Sequence, residues 1–348
     1  MTSAATMTAL IRRLSLAAFL LGCAVVVLGA YVRLSAAGLG CPDWPGCYGH
    51  FTPVGAEQNP TAQAAYPGTP LDMGKAWREM IHRYAAATLG LIIVVIVALA
   101  LSARRQRIVP PGNALGLLAI VVVQGMLGML TVTWNLKPLI VTLHLLFGFL
   151  TLSLLWWLWL TMRGRVVSGE RFLPPAPRSG AWGGNVAPRR LALLAIIALA
   201  LQIALGGWTS SNYAAIACPD FPTCQGSWWP HTDFRDAFVL WRGLGVNYEG
   251  GVLDHPARVA IHLTHRIGAL VASIALLLAA IAVLRRRALA HARLAAFAVI
   301  AALALQLFIG ISMVLEAFPL PLATTHNAGA ALLLLAALAL YRQTTRSA

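Results

Sequence analysis

Two short stretches pair groups that can do chemistry. Residues 79–82 read Glu79-Met-Ile-His82, and residues 262–265 read His262-Leu-Thr-His265. Positions three apart share one face of a helix. A carboxylate therefore stands one turn from His82, where an imidazole stands one turn from His265. Such a carboxylate can act as a base or stabilise developing positive charge; the structural alternative is a rim residue paired with Arg78 or Arg83. With His144 and His326, these account for five of the nine histidines, all in apolar surroundings. An ionisable group there is costly and marks a functional site by default. One alone would read as a satisfied polar contact.

Two further stretches, CPDWPGC (41–47) and CPDFPTC (218–224), nearly repeat each other. Cys-x5-Cys with two prolines bends the chain back on itself. Disulfides Cys41–Cys47 and Cys218–Cys224 are the leading reading on the oxidising side of a membrane, although spacing does not prove pairing. Zinc is the rival, but zinc takes four ligands and closer pairs. Short-loop disulfides are also candidates for redox exchange.

The elements that carry these residues are membrane spans. The 348 residues are 59% hydrophobic and only 11% charged, against about 25% charged in a soluble domain. The formal net charge of +15 does not point to nucleic acid, because the charges sit in short clusters between apolar runs. Eight runs are long enough to cross a bilayer as helices: 14–33, 80–103, 113–134, 139–162, 191–211, 259–284, 294–316 and 322–341. Arginines cluster in alternate connections, at Arg12-Arg13, at 104–107, in 163–190, at Arg285-Arg286-Arg287 and at Arg342. This places both termini in the cytoplasm and the long segments 34–79 and 212–258 outside. A signal peptide with a lipoprotein-like box at Cys23 is the lesser reading of the first run, which continues well past that residue; Cys23 reads as an inert thiol in a helix.

The near-repeat extends along the chain. Gly29 matches Gly206 and Cys41 matches Cys218 at an offset of 177. His82-Arg83 matches His265-Arg266 at 183, and Gln124, Gly128 and His144 match Gln306, Gly310 and His326 at 182. The expected fold is all-α: two tandem four-helix bundles with pseudo-twofold symmetry, 1–162 and 191–348, joined by a cytoplasmic linker over 163–190. Each half then offers one histidine on its second helix and one on its fourth. Two facing imidazoles in a four-helix bundle can hold a haem iron from both sides. Gly90, Gly148, Gly268 and Gly329 would keep the walls thin. Arg83 and Arg266 would meet haem propionates or snorkel to the interface.

These motifs together resemble the haem A synthase family: YVRLSAAGLGCPDWPGC after the first span, EMIHR in the second, LH at 143–144, HLTHR in the sixth and TTHNAGA in the eighth. The resemblance covers nearly the whole chain. It implies an oxidoreductase acting on a CH group, which oxidises the methyl at ring position 8 of haem O to a formyl group through a hydroxymethyl stage, with water as oxygen source. It further implies that His82 and His144 hold the substrate haem, that Glu79 is catalytic, and that His265 and His326 hold a resident haem b that removes electrons. The disulfides match members with outer-loop cysteine pairs. Implied partners are the haem O farnesyltransferase, terminal oxidase assembly factors, an electron acceptor and the lipid of a bacterial inner membrane, with the haem sites near its outer face. His262 competes with His265 as the ligand.

The rival reading is a di-haem b-type electron-transfer protein without turnover, which leaves Glu79 without a reason. A haem transporter is a second rival, disfavoured by ligands on both faces. Trp44, Trp134, Trp228 and Trp229 read as an interfacial belt. His50, His231 and His255 read as loop residues, and His291 as incidental.

Overall fold

The structure is a computed structural model that describes residues 4–106, 108–168 and 186–345. Eight long helices dominate: α1 (Ala4–Leu34), α2 (Met73–Ser102), α3 (Pro111–Thr133), α4 (Pro138–Ser168), α5 (Val186–Ser211), α6 (His255–Leu284), α7 (Arg293–Leu315) and α8 (Leu320–Thr345). No strand occurs among the described residues. All eight are long and apolar enough to cross a bilayer. Large apolar side chains stand exposed along them, among them Leu20, Leu91, Leu201, Leu270 and Phe308. Such outward faces need an apolar solvent, so the chain is a multi-pass membrane protein. The linker expected over 163–190 lies mostly outside the described residues, with Arg171 and Arg178.

The spans are found where hydropathy puts them, but α1, α2, α5 and α6 start four to ten residues earlier. Asp72 caps α2, its carboxylate accepting the Lys75 N–H at 3.0 Å. Asp254 is the N-cap residue of α6, and Pro256 stands in its first turn. These polar first turns escape a hydropathy reading. Hence His82 lies nine residues into its helix rather than two into the span 80–103, and His265 ten rather than six into 259–284, roughly 14–15 Å at 1.5 Å per residue. His144 and His326 each lie six residues into theirs, about 9 Å.

The chain forms two compact units, Met1–Thr133 with Phe147–Gly180, and Trp134–Leu146 with Ala181–Ala348. In the first, α1 packs on α2 and α2 on α3. Gly148 of α4 meets Gln124 of α3, and Leu152 and Leu155 meet Gly22 of α1, closing the ring. Its core is aliphatic, centred on Ile11, Ile93, Ile96 and Leu155. In the second, α5 packs on α6, α6 on α7, α7 on α8, and α8 back on α5.

The backbone repeats as the sequence does. The described non-glycine residues with positive φ fall into four pairs: Ala36 with Tyr213, Tyr48 with Gln225, Asn135 with Ala317, and Leu136 with Phe318. The first two pairs are 177 apart and the last two 182 apart, the offsets of the motifs. Left-handed backbone is uncommon outside glycine, so its recurrence at matched places marks the same turns used twice.

Candidate functional site

Each disulfide loop is built the same way. Cys41 joins Cys47 and Cys218 joins Cys224, both with Cα atoms 4.7 Å apart. Inside the first, Asp43 accepts the N–H groups of Tyr48 and Gly49 at 2.6 and 2.8 Å. Inside the second, Asp220 accepts those of Gln225 and Gly226 at 2.5 and 3.0 Å. The Thr223 hydroxyl adds a further bond to Asp220; Gly46 stands at that place in the first loop and has no hydroxyl to give. Beneath the loops lie Ala76 and Met80 in one half and Val259 in the other.

Arg83 and Arg266 fasten these loops. Arg83 Nη1 donates to the carbonyls of Asp43 and Gly46 at 2.9 and 2.5 Å. Arg266 donates to those of Thr223, Asp220 and Cys218 at 2.7, 2.8 and 3.1 Å. The guanidinium groups therefore hold loop carbonyls about 40 residues away in sequence. Sequence reasoning missed this because both partners are backbone.

The halves part company at the next turn of the helix. Glu79 is buried (4% exposed) and pairs with Arg83 at 2.5 Å. Its other oxygen accepts the Cys41 N–H at 2.9 Å. The carboxylate is thus tied to both the arginine and the disulfide loop. In the second half, buried His262 occupies this place and meets the ring of Phe318 edge-on at 6.2 Å.

Glycines press against the imidazoles. A Cβ on Gly29 would come within 2.9 Å of the His82 ring, one on Gly206 within 3.2 Å of His265, and one on Gly310 within 2.9 Å of His326. Gly148, Gly268 and Gly329 instead meet the amides of Gln124, Gln202 and Gln306, and Gly90 meets nothing. The Gln202 amide stands 3.0 Å from Nδ1 of His265, and the Gln306 amide 3.3 Å from Nδ1 of His326. Gln202 was not singled out from the sequence, although an amide four residues before Gly206 in an apolar helix is a signal. His265 lies within electrostatic reach of both His326 and His262. Glycine backing and a glutamine partner recur at His265 and His326. His82 belongs to the first unit and His144 to the second.

The segment before His144 is held by Lys137, buried at 1% exposure. Its ammonium donates to the Arg242 carbonyl at 2.5 Å and sits 3.3 Å from the Trp241 ring centroid. The Tyr248 N–H bonds the Asn135 carbonyl at 3.1 Å. Farther along α4, Thr142 bonds Ser211, and Leu145 and Thr142 press on Gly207.

Of the remaining histidines, His255 is not a loop residue but starts α6, where it meets Gln225. His50 meets Asn59, and His291 meets the Gln343 carbonyl. Trp228 and Trp229 are exposed, whereas Trp134 packs edge-on against Trp241.

A family profile described as cytochrome oxidase assembly protein matches residues 12–338. The chain is 44% identical over 315 residues to a protein of Shewanella oneidensis named heme A synthase, covering 89% of each. It is 28% identical to one of that name from a Chelativorans species, over 92% of this chain and 87% of the relative. A third, from Paracoccus denitrificans, is 29% identical over 90% of this chain and 82% of its own length. The chain belongs to the COX15-CtaA family of cytochrome oxidase assembly proteins.

Proposed function

We propose that the chain is a haem A synthase, oxidising the ring-position-8 methyl of haem O to a formyl group through a hydroxymethyl stage, with water as the oxygen source. The relatives named heme A synthase support this reaction. The observation that carries the division of labour is Glu79: a buried carboxylate one turn from His82, where the matching turn of the second half has His262. His82 and His144 hold the substrate haem O; His265 and His326 hold a resident haem b.

The residues present fit such groups. The donors are imidazoles in apolar helices, the His82 Nδ1 is buried with no hydrogen-bond partner, and a glycine backs each of His82, His265 and His326. Bound haem b supplies a one-electron outlet, from which an external acceptor draws. Glu79 takes up a proton or stabilises positive charge as the methyl carbon is oxidised. Arg83 and the Cys41 N–H aim its carboxylate. The disulfide loops close the outer ends of the bundles. Arg12, Arg13, Arg104, Arg105 and the run Arg285–Arg287 lie at the other ends, which supports cytoplasmic termini in a bacterial inner membrane. Haem O arrives from its farnesyltransferase, and the product leaves toward oxidase assembly.

Pigment extraction tests the reading. Protein made in cells that also make haem O is expected to yield haem O, its hydroxylated form or haem A beside haem b. Haem b alone would overturn it in favour of an electron carrier.

A further inference from the structure

His265 and His326 are each held by a glutamine at two points. Gln202 Nε2 stands 3.0 Å from Nδ1 of His265 and donates to that residue's own carbonyl at 2.9 Å. Gln306 Nε2 stands 3.3 Å from both ring nitrogens of His326 and donates to that residue's carbonyl at 3.1 Å. The amide nitrogen faces the ring here and its oxygen has no partner; turning the amide over brings that oxygen to accept the Nδ1–H that an imidazole keeps when iron takes its Nε2. A glycine three residues past each histidine makes room. A Cβ on Gly268 would lie 2.3 Å from Gln202 Oε1, and one on Gly329 2.3 Å from Gln306 Oε1.

His82 departs from this at two positions that change together. The offset that aligns Gly29 with Gly206 puts Val25 in the place of Gln202. The offset that aligns His82 with His265 puts Ala85 in the place of Gly268. The amide is missing, and so is the glycine that would accommodate it. Val25 packs into the apolar core of the first unit. The Nδ1 of His82 is left buried without a partner, a costly arrangement that native proteins keep rare. Gly29 backs the ring, but no hydrogen bond to Nδ1 resists its rotation.

We infer that Gln202 and Gln306 are positioning residues that latch the second-half imidazoles, and that His82, unlatched, is the imidazole that swings aside to open a coordination position on the substrate haem. This rests on the reading of His82 and His265 as haem ligands. It assigns opposite jobs to two otherwise matching side chains: His265 keeps its grip while electrons pass, and His82 lets go.

The test exchanges the paired residues between halves in the full-length protein. One variant carries Val25→Gln with Ala85→Gly; the other carries Gln202→Val with Gly268→Ala. Carbon monoxide is added to the reduced, haem-loaded protein, and the absorbance of each haem is followed without any turnover. In the parent protein, carbon monoxide is expected to bind at the haem O site and not at haem b. The first exchange lowers that affinity by roughly three- to tenfold, the size of one net hydrogen bond. The second makes haem b reactive toward carbon monoxide. Each exchange is judged alone, so a variant that fails to fold leaves the other to decide. Retained haems whose carbon monoxide binding is indifferent to the exchange would overturn the latch. A parent protein that takes up no haem would overturn the ligand reading beneath it, and the two failures are told apart by haem content.

Discussion

The two disulfide loops are the same object, and the helices beneath them are not. Both loops close a Cys-x5-Cys ring around an aspartate and take a guanidinium from the second helix of their half. One turn earlier on that helix, the first half buries Glu79 and the second buries His262. What is shared is scaffold; what differs is where a difference in chemistry must come from. The likeness of the loops makes them poor candidates for the reaction, and the unlike turn a good one.

The largest expected break in this comparison is Glu79→Gln. It keeps the shape and an acceptor for the Cys41 N–H but removes the charge. Conversion of haem O should fall about 100-fold or more, the scale of one acid–base or electrostatic group, while haem b content holds. His262→Gln should leave conversion within about tenfold, measured side by side by pigment extraction.

Next is stability. Arg83→Ala strips a buried carboxylate of its partner as well as the loop of its clamp, a loss of about 3–5 kcal/mol. Arg266→Ala removes carbonyl contacts and the Phe221 ring contact but leaves no buried carboxylate unpaired, a loss of about 1–3 kcal/mol. Unfolding midpoints in detergent would rank them, and equal losses would erase the distinction between the halves. Smaller again, Gly310→Ala should displace the His326 ring more than Gly206→Ala displaces His265, since the added Cβ would lie at 2.9 rather than 3.2 Å. Overpacking of this kind costs about 1–3 kcal/mol, and the haem b absorption band reads the displacement.

The smallest effect separates the loops themselves. The Thr223 hydroxyl, then the Gly226 and Gln225 N–H groups, hold the Asp220 carboxyl down to about 2. A folded-state value below the ordinary aspartate value of about 3.9 stabilises the loop above that pH, and the contribution is lost as pH falls through about 2. Thr223→Gly, which gives the second loop the residue of the first, should raise the pH at which the loop opens. Hydrogen exchange at the Gly226 N–H would follow it.

Much of this was legible beforehand. Eight spans and the repeat follow from hydropathy and offsets, and cysteine spacing made both disulfides the leading reading, because each is a local or periodic property of the chain. The Asp72 cap and the early starts of α2 and α6 were not, since polar first turns look like loop. The arginine clamps escaped because their partners are backbone carbonyls with no residue type. The glutamines escaped in a different way: Gln124 and Gln306 stood out as repeat markers, but only three-dimensional contact ties Gln202 to His265 and Gly268. Lys137, a lone cation before Pro138, gave no hint that an aromatic ring and a carbonyl enclose it.

Lys137 also determines how the polypeptide can be taken apart. The chain passes from one unit to the other within α4, between Leu146 and Phe147, so the border between the sequence repeats is not the border between the folded bodies. A nick in the 163–190 linker would leave the N-terminal fragment with a helix end whose Lys137, Thr142 and Leu145 find their partners at Arg242, Ser211 and Gly207. Neither fragment is then self-sufficient. Made separately each carries an orphaned surface, and made together they have a ready-cut seam along which to reassemble.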